Sequence, residues 1–192
     1  MRRALLLLLG CAWLGIARPD ASPSLIAGVF TPPRPAPDFS LRGSNGRELR
    51  MQDLRGKLVL LAFGYAHCTA VCPLTLSVLA DARKRLADHA ADVQVVYVTV
   101  DPERDDVEHI RQFVGRFDPS NIGATGTAAE LAAVRRDYGI SLSAKLPTGD
   151  GYALDHSSFI YLIDKQGRLR ALMPFGHSAE DFAHDLRILE RE

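Results

Sequence analysis

The run Leu58-Val-Leu-Leu-Ala-Phe63 is apolar throughout, as a strand covered on both faces should be. Two cysteines follow at once, Cys68 and Cys72 in Phe63-Gly-Tyr-Ala-His-Cys-Thr-Ala-Val-Cys-Pro73, and then a helix-like stretch from Leu74 to Leu86. A strand, a short loop and a helix therefore meet where the thiols sit. Residues four apart lie on one face of a helix, one turn apart. Two sulfurs so placed close a disulfide if the turn is loose, or clasp one soft metal ion.

The rest of the composition narrows the setting. The chain has 192 residues, 47% hydrophobic and 24% charged, which suits one globular domain with appendages. Its 23 basic residues balance 23 acidic ones, so nothing marks a nucleic-acid partner. Of three cysteines, Cys11 falls in the leading segment. The remaining two are too close in sequence to staple distant parts of a fold, which favours a functional pair.

Residues 1–17 read as a signal peptide or a membrane or lipid anchor. Arg2 and Arg3 precede an apolar stretch of about 14 residues, Ala4 to Ala17, shorter than the roughly 20 a spanning helix needs. Cleavage after Ala17, lipidation at Cys11 in Leu8-Leu-Gly-Cys11, and retention as an anchor are the three outcomes. Each exports the domain, tethered or free, to the periplasmic side of a bacterial inner membrane. Residues 18–37, rich in Pro and Ser, read as a linker.

Residues 38–192 alternate strand and helix. An extended piece at Pro37–Leu41 leads into the turn Gly43-Ser-Asn-Gly46. After the first central strand come an amphipathic helix from Pro73 to about His89 and a β-branched strand, Val93–Val100. Asp101-Pro-Glu-Arg-Asp105 turns into a helix ending near Phe117. Thr127 caps a third helix through Tyr138, with Glu130 completing a capping box. Ser158–Ile163 and Arg168–Met173 form a hairpin around Asp164-Lys-Gln-Gly167, and Ser178 caps a last helix, Ala179 to Glu190. Strands joined by helical crossovers imply a parallel sheet, here with an antiparallel edge. The predicted class is α/β, resembling the thioredoxin-like plan: a central mixed sheet flanked by helices, with a C-terminal β-hairpin and helix. It places Cys68 and Cys72 at the carboxyl end of a central strand, where open sheets present their sites.

At a helix N-terminus thiols ionise readily, and Pro73 is tolerated in the first turn. Two soft thiolates suit Cu(I) and leave room for a neutral imidazole. His67 adjoins Cys68 but should point away. His89, His109, His177 and His184 read as surface. His156, in Tyr152-Ala-Leu-Asp-His-Ser-Ser158, precedes the hairpin strand, whose start lies beside the cysteine loop in such a sheet. Asp155 is placed to orient its ring. Asp101 stands at the same sheet edge, either tuning the site or capping its own turn, and Met173 reads as packing. The long connection Ser141–Leu154 reads as a mobile loop that brings His156 to the sulfurs.

Three motifs in order resemble the SCO/SenC proteins: Cys68-x-x-x-Cys72-Pro73 after Phe63-Gly-Tyr-x-His67, Val98-Thr-Val-Asp-Pro-Glu-Arg-Asp105, and Asp155-His156-Ser157. The resemblance runs from about Pro35 to the C-terminus. It implies a thioredoxin-fold copper chaperone that helps assemble the dinuclear copper centre of cytochrome c oxidase, with Cys68, Cys72 and His156 as copper ligands. Copper is implied as Cu(I), and as Cu(II) with an added oxygen donor. The implied partners are cytochrome c oxidase subunit II or another copper-site apoprotein, with a copper donor or a thioredoxin-like reductant upstream. Where the family often has Pro-Asp-Val between the cysteines, this chain has Thr69-Ala70-Val71, so an acidic side chain is absent there.

An extracytoplasmic thiol–disulfide oxidoreductase is the alternative, since Cys68 and Cys72 are also the redox-active pair and only the reduced pair ligates metal. Three intervening residues, not the two of the usual redox motif, weigh against it. A peroxidase lacks a distant resolving cysteine.

Overall fold

The computed structural model describes residues 24–149 and 151–192. The expected leader, residues 1–17, and the start of the expected linker lie outside the described residues.

An eight-stranded sheet carries the site. Its centre is three parallel strands, β4 (Leu58–Gly64), β5 (Val93–Thr99) and β6 (Ile122–Thr125). β9 (Phe159–Ile163) pairs antiparallel with β4, and β10 (Arg168–Pro174) with β9. On the far side β2 (Ser40–Gly43) and β3 (Glu48–Arg50) form a small hairpin on β6. β6 is a strand that periodicity misses: Ile-Gly-Ala-Thr is short and holds a glycine, and only its place beside β5 makes it extended.

β4 shows why the first central strand is apolar throughout. Leu58, Leu60 and Ala62 face α1 (Val71–Lys84), α2 (Val107–Gly115) and α4 (Ala179–Glu190), meeting Leu76, Ile110 and Phe182. Val59, Leu61 and Phe63 face α3 (Ala128–Tyr138), meeting Leu131 and Tyr138. Each buried leucine contributes about 2 kcal/mol on this accounting. The capping boxes predicted from Thr127 and Ser178 are both formed, so α3 and α4 start where expected. α1 stops earlier than predicted, at Lys84; Ala87 takes φ 51° and a 3-10 stretch, Ala87–Asp92, follows.

The linker reading fails over its second half. Gly28–Pro35 forms β1, an edge strand antiparallel to β10. Prolines are tolerated on an edge, and the pairing passes from Val29 to Arg34 over Pro32 and Pro33. Just before it, the N–H groups of Ile26 and Ala27 donate to the buried Asp185 carboxylate of α4, at 2.8 and 2.9 Å. A Pro/Ser-rich composition suggested a free tether; a distant carboxylate and an open sheet edge fix it instead.

The connection Ser141–Leu154 is not an unstructured loop. It projects as a two-stranded arm, β7 (Leu146–Thr148) against β8 (Gly151–Ala153). Its base is closed by Ser143 N–H donating to the Asp155 carbonyl at 2.8 Å and Ser157 N–H to the Ser141 carbonyl at 3.2 Å. Among the described residues no helix is long and apolar enough to cross a membrane.

Candidate metal centre

β4 ends at Gly64, and no other residue fits there. A Cβ at this position would lie 2.0 Å from the Tyr97 hydroxyl and 2.7 Å from Cys72 Sγ. The chain then turns through Tyr65–Ala70 into α1. Ala66 N–H donates to the buried carboxylate of Asp105 at 2.9 Å, and Thr99 Oγ1 donates to the same oxygen at 2.6 Å. Burial raises the Asp105 carboxyl above its usual range. This carboxylate, at the end of the Asp-Pro-Glu-Arg-Asp turn, pins the cysteine loop to β5.

The helix start explains the state of the thiols. Ala70 is the N-cap of α1 and offers no side-chain acceptor. The Cys68 sulfur takes that place: Cys72 N–H donates to Cys68 Sγ at 3.4 Å. Hydrogen bonding from the Cys72 thiol, opposed by burial and aided by the N–H groups of Cys72, Ala70 and Val71, lowers the Cys68 thiol to about 5. Cys72 is pushed far above the ordinary range, because its proton serves Cys68 and because it is buried. Both cysteines are free thiols here, Cys68 half-buried and Cys72 buried. These surroundings favour the thiolate at Cys68 and the thiol at Cys72. Iodoacetamide labelling mapped by mass spectrometry should modify Cys68 first, at a rate nearly flat from pH 6 to pH 8. A rate climbing about tenfold per pH unit, as for a thiol of pKa about 8.5, would contradict it.

The structure brings His156 to this pair. Its Nε2 lies 4.0 Å from Cys72 Sγ. Its Nδ1 lies 2.9 Å from the Ser157 carbonyl, which only accepts, so in the neutral ring the proton sits on Nδ1. The Nε2 lone pair is left facing Cys72 Sγ. A first-row metal takes sulfur at about 2.3 Å and imidazole nitrogen at about 2.0 Å, which at a trigonal angle sets these donors about 3.7 Å apart. Cys72 Sγ and His156 Nε2 stand close to that separation. The three donor atoms do not all lie within 4.8 Å of one another, so Cys68 and the imidazole must draw together around an ion. The donor types, two sulfurs and an imidazole, suit a soft ion such as Cu(I). The expectation that Asp155 orients the ring fails: Asp155 is exposed, and the Ser157 carbonyl orients the ring instead. The Tyr65 ring stands edge-on to the imidazole, centroids 6.2 Å apart.

The other histidines face carboxylates. His67 turns to Asp105 at 3.6 Å, His109 to Asp106 at 2.9 Å, His177 to Asp181 at 3.3 Å and His184 to Asp185 at 3.0 Å. His89 lies with Glu190 and Asp92. Met173 is buried in the core beneath α4. Asp101 is also buried, and its carboxylate is engaged: Oδ1 accepts from the Tyr152 hydroxyl at 2.7 Å and Oδ2 from Arg104 Nε at 2.5 Å. Its carbonyl accepts the Asp105 N–H at 3.0 Å, so it also caps its turn. Reading the residues alone assigned no task to Tyr65, Arg104, Asp105 or Tyr152. The first, second and third sit inside the quoted motifs, but their roles depend on strands that meet only in the fold.

Comparison with known proteins follows the same lines. The sequence model of the SCO1/SenC family matches residues 31–190. The bovine mitochondrial protein described as a SCO2 homolog is 37% identical over 153 residues, covering 78% of this chain and 58% of its own length. The chain thus matches little more than half of that relative. A crystal structure of Arabidopsis thaliana ScoI with copper bound is similar at TM-score 0.77 and 29% identity, covering 82% of this chain and 99% of the other. A Bradyrhizobium japonicum ScoI structure, also with copper bound, is similar at TM-score 0.73 and 34% identity, covering 80% and 98%. The thioredoxin-like sheet, the motif order and the match over most of the chain agree, and the chain belongs to the SCO1/SenC family.

Proposed function

We propose that this chain is a copper metallochaperone that serves the dinuclear copper site of cytochrome c oxidase subunit II, on the periplasmic side of a bacterial inner membrane. Cys68, Cys72 and His156 hold the cargo ion. One observation carries the reading: an imidazole with its proton fixed on Nδ1 turns a bare Nε2 toward Cys72 Sγ at 4.0 Å. A plain dithiol reductase has no use for that nitrogen. Two thiolates and one imidazole bind Cu(I) and leave the ion open to an incoming ligand, as transfer requires.

A second reading has its own support. The lowered Cys68 thiol is a competent nucleophile, so the pair would also reduce a client disulfide, keeping the acceptor's cysteines able to take copper. Another copper-site apoprotein is an equivalent client, and a thioredoxin-like reductant would restore the pair.

The test is metal binding and transfer. Protein purified under reducing conditions should bind one Cu(I) per chain and pass it to the reduced, apo copper domain of subunit II. The oxidised protein should bind none. Failure to bind Cu(I), together with rapid reduction of the oxidised domain, would replace the first reading by the second.

A further inference from the structure

The β7–β8 arm is tied to the body by groups that take no part in binding copper. The Arg104 guanidinium lies over the Tyr152 ring, 3.6 Å from its centroid, and Nη1 donates to the Tyr152 carbonyl at 3.0 Å. The Tyr152 hydroxyl and Arg104 Nε converge on the two oxygens of Asp101, at the end of β5. Lys145 covers the ring at 4.5 Å and pairs with Glu103 at 2.5 Å. Two residues on, the Leu154 N–H donates to the Tyr65 hydroxyl at 3.3 Å. His156 follows directly. Every contact joins the arm to the carboxyl ends of β4 and β5, the strands that carry the cysteine loop.

We propose that Arg104 and Tyr152 are positioning residues: they latch the arm onto Asp101 and so set how readily His156 leaves the sulfurs. The proposal rests on His156 being a copper ligand. The latch is built to hold without being permanent. Asp101 and Arg104 form a charge-assisted pair, stronger than neutral hydrogen bonds. Against this, Arg104 Nη2 is buried with no acceptor, a donor that opening would hydrate. The closed arm is favoured, but part of its advantage is given back. A carrier that must release its cargo needs that balance.

The test uses the full chain with Arg104→Gln and Tyr152→Phe. In the reduced apo protein, amide exchange at Ser143, Leu154 and Ser157 should speed at least about tenfold in Arg104→Gln, which loses the charge-assisted bond to Asp101 and the bond to the Tyr152 carbonyl. It should speed less in Tyr152→Phe, which keeps the ring under Arg104. Amides of β4 and β5 should not change, which shows the fold intact. Release of Cu(I) to a colorimetric chelator should accelerate about tenfold in Arg104→Gln, and not further when Arg104→Gln is added to His156→Ala. Unchanged arm exchange in both variants overturns the latch, whatever copper does. Faster arm exchange without faster release, while His156→Ala does speed release, overturns its link to the site. Release indifferent to His156→Ala removes the ligand assignment instead, and with it the claim that the latch governs copper.

Discussion

His156→Ala should weaken Cu(I) binding by about a hundredfold or more and leave the fold intact. Loss of a group that merely orients a ligand costs roughly 10–100-fold in metal affinity, so loss of the ligand itself should reach at least the upper end. The change is mild for the protein. His156 is half-buried, and its side-chain polar contacts are the adjacent Ser157 carbonyl at Nδ1 and a long one, 4.0 Å, from Nε2 to Cys72 Sγ. The thermal midpoint should move little. Competition against a chelator of known Cu(I) affinity measures the loss. His156→Ala binding as tightly as the parent would leave the two sulfurs as the whole site. Cys68→Ser is the companion measurement, because it removes the sulfur that stands in for the helix cap as well as a ligand.

Gly64→Ala should cost stability, about 3 kcal/mol, from one methyl group. The added Cβ would meet the Tyr97 hydroxyl at 2.0 Å and Cys72 Sγ at 2.7 Å, well inside contact distance. Tyr97 is buried and packs on Phe113, so it cannot swing aside cheaply. Overpacking of this kind typically costs 1–3 kcal/mol, and this contact is severe enough to reach the top of that range. For a domain of this size that corresponds to a midpoint lowered by roughly 6–12 °C. Relief of the second contact must shift Cys72, so copper affinity should fall along with stability. Calorimetry and copper titration together read both outcomes. Tyr97→Phe in the Gly64→Ala background should recover part of the loss by removing the nearest atom. A Gly64→Ala protein matching the parent in both measurements would show that the backbone at the end of β4 can retreat.

These two residues also mark how far the chemistry is legible without coordinates. The sulfur pair and His156 are visible because metal ligands draw on few residue types and because strand–helix alternation gives their place in the sheet. The starts of α3 and α4 are visible because their caps are local, needing only residues three apart. Gly64 is different. The glycine stands in a quoted motif, yet the reason for it is a tyrosine on the next strand. The ring-orienting group is a backbone carbonyl, which every residue has, so the sequence points instead to Asp155, the adjacent carboxylate. β1 and β6 were missed for a related reason. One is broken by prolines and the other by glycine, and each becomes a strand only through a partner remote in the chain. The hairpin within the arm is not legible because Leu146-Pro-Thr-Gly-Asp-Gly151 looks like an irregular loop, while the Arg104–Tyr152 stack that secures it joins residues 48 apart.

The course of β1 has a consequence for how the molecule faces its surroundings. Gly28 pairs with Leu172, Leu172 with Tyr161 and Tyr161 with Leu61, so Gly28 is level with the middle of β4. Asp185 then clamps Ile26 and Ala27. The sheet order puts β1 three strands from β4, about 14 Å at ordinary spacing. A pull applied through the leading end of the described chain would therefore be borne first by α4 and the β1–β10 edge. Held from that end, the domain would take the load on an edge three strands from the sulfurs, and the cysteine loop would be spared it.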